Sequence, residues 1–423
     1  MKATDIFEDE RFIKCLKREC FDDNDKRVRI FNKKDEIIKK NIDKVTCIDC
    51  SNYWITNIKG ISIFKNLKIL FLTNNQIKKL PKEIDELRNL KELYLSANKT
   101  KNLQKEIENL GNLENLEVLD LSNNQIKELP EEIWNLKNLK KIYLWANKLE
   151  FLPSVIGNLR NLKELYLSAN KIKNLPKEIG NLENLEVLDL SNNQIKELPK
   201  EIWNLKKLKI LDLFNNQIEE LPSEIGKLQN LERLDLNNNK LQKLSKEIFQ
   251  LKNLKVLNLS FNKIKKLPKE IGNLKNLRQL NLSDNLIKEI PKEICNFKNL
   301  EILDLSDNKI KKLPEEIDKL ENLKILDLWN NKLQYLPKKI LKLNKLKWLH
   351  LNKTFDLDNL KQDPKELLYI LQKLKEKNVF VITSLNYLKK EVYPVLKKKI
   401  EEKYWINDLK QIKDNLNFDN LNF

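Results

Sequence analysis

Leucine and polar residues alternate along most of this chain in the string L-x-x-L-x-L-x-x-N, as in Leu185, Leu188, Leu190 and Asn193. The L-x-L core has the two-residue period of a strand, so Leu188 and Leu190 face one way and Asp189 the other. The next apolar positions, Ile195, Leu198, Ile202 and Leu205, are spaced more widely and predict a short helix or 3₁₀ segment. Pro199 fits its start, where a missing N–H costs little. The string closes at Asn75, Asn98, Asn124, Asn147, Asn170, Asn193, Asn216, Asn239, Asn262, Asn285, Asn308 and Asn331, a step of 23 residues except for the 26 between Asn98 and Asn124. A fixed period of this length predicts stacked supersecondary units, each touching only its neighbours. The buried asparagines are expected to be structural, their amides satisfying backbone groups in the turn after each strand.

With its LPxEIxxLxNL segments, for example Leu198-Pro199-Lys200-Glu201-Ile202, the pattern resembles the leucine-rich repeat family in its 23-residue bacterial and Ras-suppressor-like form. The resemblance covers about residues 45–353, some 14 turns. It implies an α/β solenoid, a horseshoe with a parallel concave sheet, short helical or 3₁₀ convex segments and helical caps at both ends. It also implies protein binding without naming a partner. The first turn, with Val45, Ile48 and Cys50, is degenerate, and the last, with Leu346, Leu349 and Leu351, ends in Thr354 where asparagine is due. Glu92 to Lys137 reappears three repeats later as Glu164 to Lys206. The first copy has three extra residues near Glu108-Asn109-Leu110, and Thr100 and Gln104 in place of Ile172 and Pro176, which predicts a convex bulge.

Four regions follow. Residues 1–44 are expected to form a helical N-terminal cap, with an amphipathic helix over Phe7 to Leu16. Phe21-Asp22-Asp23-Asn24-Asp25 looks like a degenerate EF-hand-like cap, but Lys26, Arg27 and Lys33 stand where a calcium loop needs oxygen donors or glycine. Residues 45–353 form the solenoid. In 354–383, Asp363-Pro364 starts a helix to about Lys377 and Val379 to Ile382 a strand, together closing the core. In 384–423, Leu385, Leu388, Val392, Leu396, Ile400, Tyr404 and Leu409 recur at helical spacing, a stripe expected to dock on the cap before a mobile end.

The outward strand position should form a ladder on the concave face, the default binding surface of a solenoid. It runs through Asp49, Phe71, Tyr94, Asp120, Tyr143, Tyr166, Asp189, Asp212, Asp235, Asn258, Asn281, Asp304, Asp327 and His350, with Trp145, Phe214 and Trp329 two residues further along their strands. Exposed aromatics mark binding hot spots, although cross-strand aromatic pairs also stabilise a sheet. Tyr94, Tyr143, Trp145 and Tyr166 are therefore expected to hold a basic or amphipathic protein segment steered by Asp189, Asp212 and Asp235, with Phe214 and Trp329 extending the surface.

Composition adjusts this picture at three points. The formal charge is +18, of which +14 lies in residues 45–353. The excess is spread through the repeats, so a solvated face is the first reading. Binding of nucleic acid or another polyanion through lateral lysines such as Lys263, Lys265, Lys266, Lys309, Lys311 and Lys312 is the second. Five cysteines, an odd number, and a first stretch without the apolar core of a secretory signal place the chain in the cytoplasm. No run approaches the roughly 18 apolar residues of a membrane span. Cys47-Ile48-Asp49-Cys50 has a zinc-like spacing, with Cys15 and Cys20 upstream. With Ile48 and Cys50 inward, however, Cys47 points the other way, and all these thiols are read as packed side chains.

Six glycines leave little material for a phosphate cradle, and no nucleophile elbow or dinucleotide fingerprint occurs. The single histidine, His350, has no recognisable activated partner. The expectation is a non-enzymatic, monomeric interaction scaffold with no catalytic residues, no metal and no cofactor.

Overall fold

The structure, a computed structural model, describes residues 1–77, 80–98, 107–356 and 359–383. The chain divides into two compact units, residues 1–212 and 213–423.

In the first unit, three-residue strands occur where the L-x-L pairs predict them: β2 Cys47–Asp49, β3 Ile69–Phe71, β4 Glu92–Tyr94, β5 Val118–Asp120, β6 Lys141–Tyr143, β7 Glu164–Tyr166, β8 Val187–Asp189 and β9 Ile210–Asp212. From β2 to β9 each strand pairs in parallel with the next, leucine beside leucine and ladder residue beside ladder residue. The chain returns from each strand through a 3₁₀ segment such as Lys200–Asn204, whose N-cap is Pro199. Leu188, Leu190, Ile195, Ile202 and Leu205 are fully buried between the two layers. Where a return segment carries glycine, its neighbour comes close. A Cβ on Gly180 would stand 2.5 Å from the Glu201 carbonyl oxygen.

Asparagine closes each turn as expected. Asn193 donates from Nδ2 to the carbonyls of Leu167 (3.0 Å), Leu190 (3.0 Å) and Ser191 (3.1 Å), and its Oδ1 accepts the Ile172 N–H (3.0 Å). One amide thus serves two successive turns. The preceding residue is left-handed in every repeat, with φ 55° at Asn192, which explains why asparagine is common there too.

The N-terminal cap differs from the helical, EF-hand-like form expected. Helix α1 spans Glu10–Leu16, and Asp9 caps it by accepting the N–H groups of Arg11 and Phe12. Two tight turns of one pattern follow. Asp22 accepts the N–H of Asn24 and Lys26, Asn32 accepts those of Lys34 and Glu36, and Asp25 and Asp35 are left-handed. Oδ1 of Asp22 is thereby committed to its own turn. Strand β1, Cys20–Phe21, pairs antiparallel with β2, and the four-residue helix α2 spans Lys39–Ile42.

The expectation that all five cysteines are free thiols is corrected. Cys15 of α1 and Cys50, next to β2, form a disulfide with their Cα atoms 5.6 Å apart. The inward position of Cys50 brings it against the helix, joining two residues 35 apart in sequence. Cys20, Cys47 and Cys295 remain thiols. Burial first, then the Asp49 carboxylate, pushes Cys47 up to about 11.

The second unit repeats the design with β10 Arg233–Asp235, β11 Val256–Asn258, β12 Gln279–Asn281, β13 Ile302–Asp304, β14 Ile325–Asp327 and β15 Trp348–His350, parallel and in register. Helix α3, Pro364–Glu376, starts at the Asp363 N-cap and leads into β16, Phe380–Ile382, which extends the sheet in parallel beside β15. In place of asparagine, Thr354 Oγ1 donates to the Leu328 carbonyl (2.9 Å). Thr100, Gln104 and the stripe from Leu385 to Leu409 lie outside the described residues, while Ile107–Leu110, where the bulge was expected, forms a 3₁₀ segment like those of the other repeats.

Candidate functional site

The pairing register decides which ladder residues meet. Tyr143 and Tyr166 stand opposite each other on β6 and β7, and their rings stack 4.8 Å apart and 7° from parallel. Tyr94 does not join them directly, because Asp120 of β5 stands between Tyr94 and Tyr143. Instead Tyr94 stacks on Phe71 of β3, at 4.6 Å and 14°. The expected single aromatic cluster is therefore two stacks separated by a carboxylate. Trp145, 41% exposed, lies two residues beyond Tyr143.

Two phenols are pinned to carboxylates at the start of their own strands. Tyr94 donates to Glu92 (2.8 Å) and Tyr166 to Glu164 (3.0 Å). Burial first, and then the neighbouring carboxylates, holds Tyr94, Tyr143 and Tyr166 above the ordinary tyrosine range, so all three remain neutral, with fixed faces. Asp189 and Asp212 follow on β8 and β9, both half-buried. Asp189 accepts the Ser191 N–H at 2.9 Å.

Of the candidates in the second unit, Phe214 and Trp329 are half-buried on the strand face. Asp235 was expected to face solvent, and it does not. It is 3% exposed, accepts from Asn237 N (2.9 Å) and Asn258 Nδ2 (3.1 Å), and has Arg233 at 3.4 Å. Burial outweighs these partners and raises its pKa. Longer neighbours on β10 and β11 close over it, whereas the serine-flanked aspartates of β5 and β8 stay open. Trp329 stacks on His350 with ring centroids 6.2 Å apart, and His350 Nδ1 lies 3.1 Å from Asp327 Oδ2. No hydroxyl or thiol is hydrogen-bonded to that imidazole among the described residues, and no group of three or more potential metal-ligating side chains occurs among them.

Charge is managed differently at two edges of the sheet. Along the edge that leads into the strands, Lys140 pairs with Glu117 and Lys209 with Glu186, each at 2.6 Å. In the second unit Lys255 pairs with Glu232 at 2.6 Å. On the other edge Lys263, Lys265, Lys266, Lys309, Lys311 and Lys312 are exposed and form no ion pair among the described residues. Sequence reasoning placed Phe71 and Asp120 on the ladder without assigning them to the site. The register, counted off the repeat, is the signal that identifies them.

Models of a leucine-rich repeat region match residues 100–171, 156–215 and 292–392, just over half of the chain, and further leucine-rich repeat models match 50–99, 206–251 and 229–287. No curated protein matches the chain in sequence. Among solved structures, a leucine-rich repeat protein of Leptospira interrogans is 36% identical, with 81% of this chain covering 97% of that one and a TM-score of 0.61. An internalin of Listeria monocytogenes is 24% identical, with 82% and 96% coverage and a TM-score of 0.70, a likeness of fold. The leucine-rich repeat ectodomain of a plant membrane receptor kinase of Arabidopsis thaliana, in complex with Casparian strip integrity factor 2, is 29% identical with a TM-score of 0.58. In that case 74% of this chain matches 42% of the other. No helix among the described residues is long and apolar enough to cross a membrane.

Proposed function

The chain belongs to the leucine-rich repeat family, and from that premise we propose that it is a non-enzymatic, monomeric binding module that takes a protein partner on its strand face. Members of this family and their structural neighbours are typically protein-interaction modules, and the plant receptor ectodomain is itself in complex with Casparian strip integrity factor 2. The observation that carries the reading is the pair of aromatic stacks, Phe71 with Tyr94 and Tyr143 with Tyr166, on the solvent side of the first unit. Their rings are held in place before a partner arrives, so binding loses little side-chain freedom. Trp145 beside them supplies exposed apolar area, and Asp189 and Asp212 supply negative charge. The partner segment is accordingly basic or amphipathic. Phe214 and Trp329 are secondary contacts of the second unit, and the burial of Asp235 takes it off this surface.

A polyanion is the second reading, favoured by the unpaired lysines on the far edge of the second unit. One experiment separates the two. The full chain and a variant with Tyr94, Tyr143, Trp145 and Tyr166 replaced by alanine are used to capture partners at low and high salt. A protein lost from the variant and retained at high salt is the expected result. Equal capture by both forms would remove the aromatic face from consideration, and nucleic acid released steeply by salt would favour the lysine edge.

The cytoplasmic placement rested on the odd cysteine count and on a first stretch without a secretory apolar core, and the Cys15–Cys50 bond weakens the first of these grounds. An oxidising compartment suits such a bond better, and we take that as the setting of the cap.

A further inference from the structure

We propose that Tyr94, Asp120 and Tyr143 form a slot that receives the guanidinium of one arginine from the partner segment, an inference that rests on the strand-face reading above. The three residues occupy the same position on consecutive strands, in register. Each wall is backed by a second ring, Phe71 behind Tyr94 and Tyr166 behind Tyr143, so neither can collapse toward Asp120 without breaking a stack. The Tyr94 hydroxyl is further tied to Glu92.

Spacing selects the occupant. Neighbouring strands lie about 4.8 Å apart, so the two walls stand roughly 9.6 Å apart with Asp120 midway. A planar group in van der Waals contact with rings on both sides needs about 3.5–4 Å to each, or roughly 7–8 Å in all. One flat cation therefore fits and two side chains do not. Placed midway it lies about 4.8 Å from each ring, inside the roughly 6 Å range of a cation–π contact.

Charge selects it further. Asp120 Oδ1 is taken by the N–H of Ser122 (2.9 Å) and by its hydroxyl, while Oδ2 has no partner among the described residues. Lys141, on the strand beside Asp120, is already engaged, pairing with Glu164 at 2.9 Å. An apolar occupant would bury that carboxylate oxygen without a donor, at a cost. Arginine turns a flat cationic face toward each ring and a fork of N–H groups to the oxygen, whereas the compact ammonium of lysine has neither the planar face nor the fork.

The probe is a fluorescein-labelled peptide of glycines and serines carrying one arginine, titrated into the full chain, beside the same peptide with citrulline in its place. The arginine peptide is expected to bind about tenfold more tightly than the citrulline peptide, and Asp120→Asn to remove that difference. Asp304→Asn, at the same strand position in the second unit but without aromatic walls, is the control and should preserve it. The slot is disproved if the two peptides bind alike, if Asp120→Asn changes nothing, or if both aspartate variants weaken binding equally. Partner capture distinguishes this failure from that of the broader reading. A protein lost with the four-alanine variant but kept by Asp120→Asn would leave the face standing and sink the slot, whereas retention by both would sink the face itself.

Discussion

Asn238 and Asn239 are adjacent residues of one type with different physical roles. Asn238 sits in the left-handed turn at φ 53° and donates to Asn215, exposed to solvent. Asn239 is 7% exposed, donates to the carbonyls of Leu213, Leu236 and Asn237, and accepts the Ile218 N–H. Alanine already occupies the turn position at Ala97, Ala146 and Ala169, so Asn238→Ala should cost about 1 kcal/mol or less. Asn239→Ala orphans several buried groups and should cost at least about 3 kcal/mol. Equilibrium urea unfolding of the two variants tests this, and equal costs would contradict the ladder's role. Asp304 makes a second case. Burial, then Asp327 in register beside it and Asp284, raise its pKa against the hydrogen bonds from Ser306. His350 lies one strand further, engaged with Asp327. A raised carboxyl favours the protonated fold, so its contribution to stability is complete below about pH 4 and is lost as pH rises through the native value. Asn258 and Asn281 show that asparagine suits this position, each accepting from the serine two residues on. Asp304→Asn should thus raise the urea midpoint at pH 8 and leave it unchanged below pH 4, and the opposite pH dependence would refute the assignment.

The N-terminal cap depends on one covalent tie and one carboxylate. Asp9 Oδ2 accepts from Thr56 N (2.7 Å) and Thr56 Oγ1 (2.8 Å), while its Oδ1 caps α1. The Cys15–Cys50 bond closes a loop of sequence separation 35, which on the chain-entropy model stabilises the cap by roughly 3–4 kcal/mol. Reduction, or paired serine substitution at Cys15 and Cys50, should lower the onset of thermal unfolding and expose residues 1–50 to protease. An unchanged melting curve in reductant would show that hydrophobic packing of Phe7, Phe12 and Phe64 suffices alone. The bond was not legible in sequence, because neither cysteine's spacing reveals that α1 folds back on the first turn. The strands were legible, because L-x-L alternation has no other stable reading when it recurs at constant period.

Across the whole molecule, what the repeat dictates was readable and what its departures do was only partly so. Leucines, asparagines and the register followed from period alone. The site was half legible. Tyr143 and Tyr166 meet as the count implied, but the isolation of Tyr94 by Asp120 required following one strand rather than a list of aromatics. Asp189 and Asp235 are the same letter at the same position, yet one is half-buried and the other 3% exposed, because Arg233 and Asn258 cover only the second. Phe261 stands exposed in the left-handed turn at φ 51°, and nothing in the structure explains it. The asparagine ladder has one more consequence. Among the described residues the amides bond backward to the turn before, as Asn308 does to the Leu282 carbonyl and the Ile287 N–H, and Thr354 ends the series with a hydroxyl in place of the amide. A gene that gains or loses one 23-residue block by unequal recombination therefore leaves every remaining handshake intact. The near-copy of Glu92 to Lys137 at Glu164 to Lys206 bears the mark of such an event. Lineages can alter how far the protein reaches by copying errors alone, while selection acts on the faces of the copies.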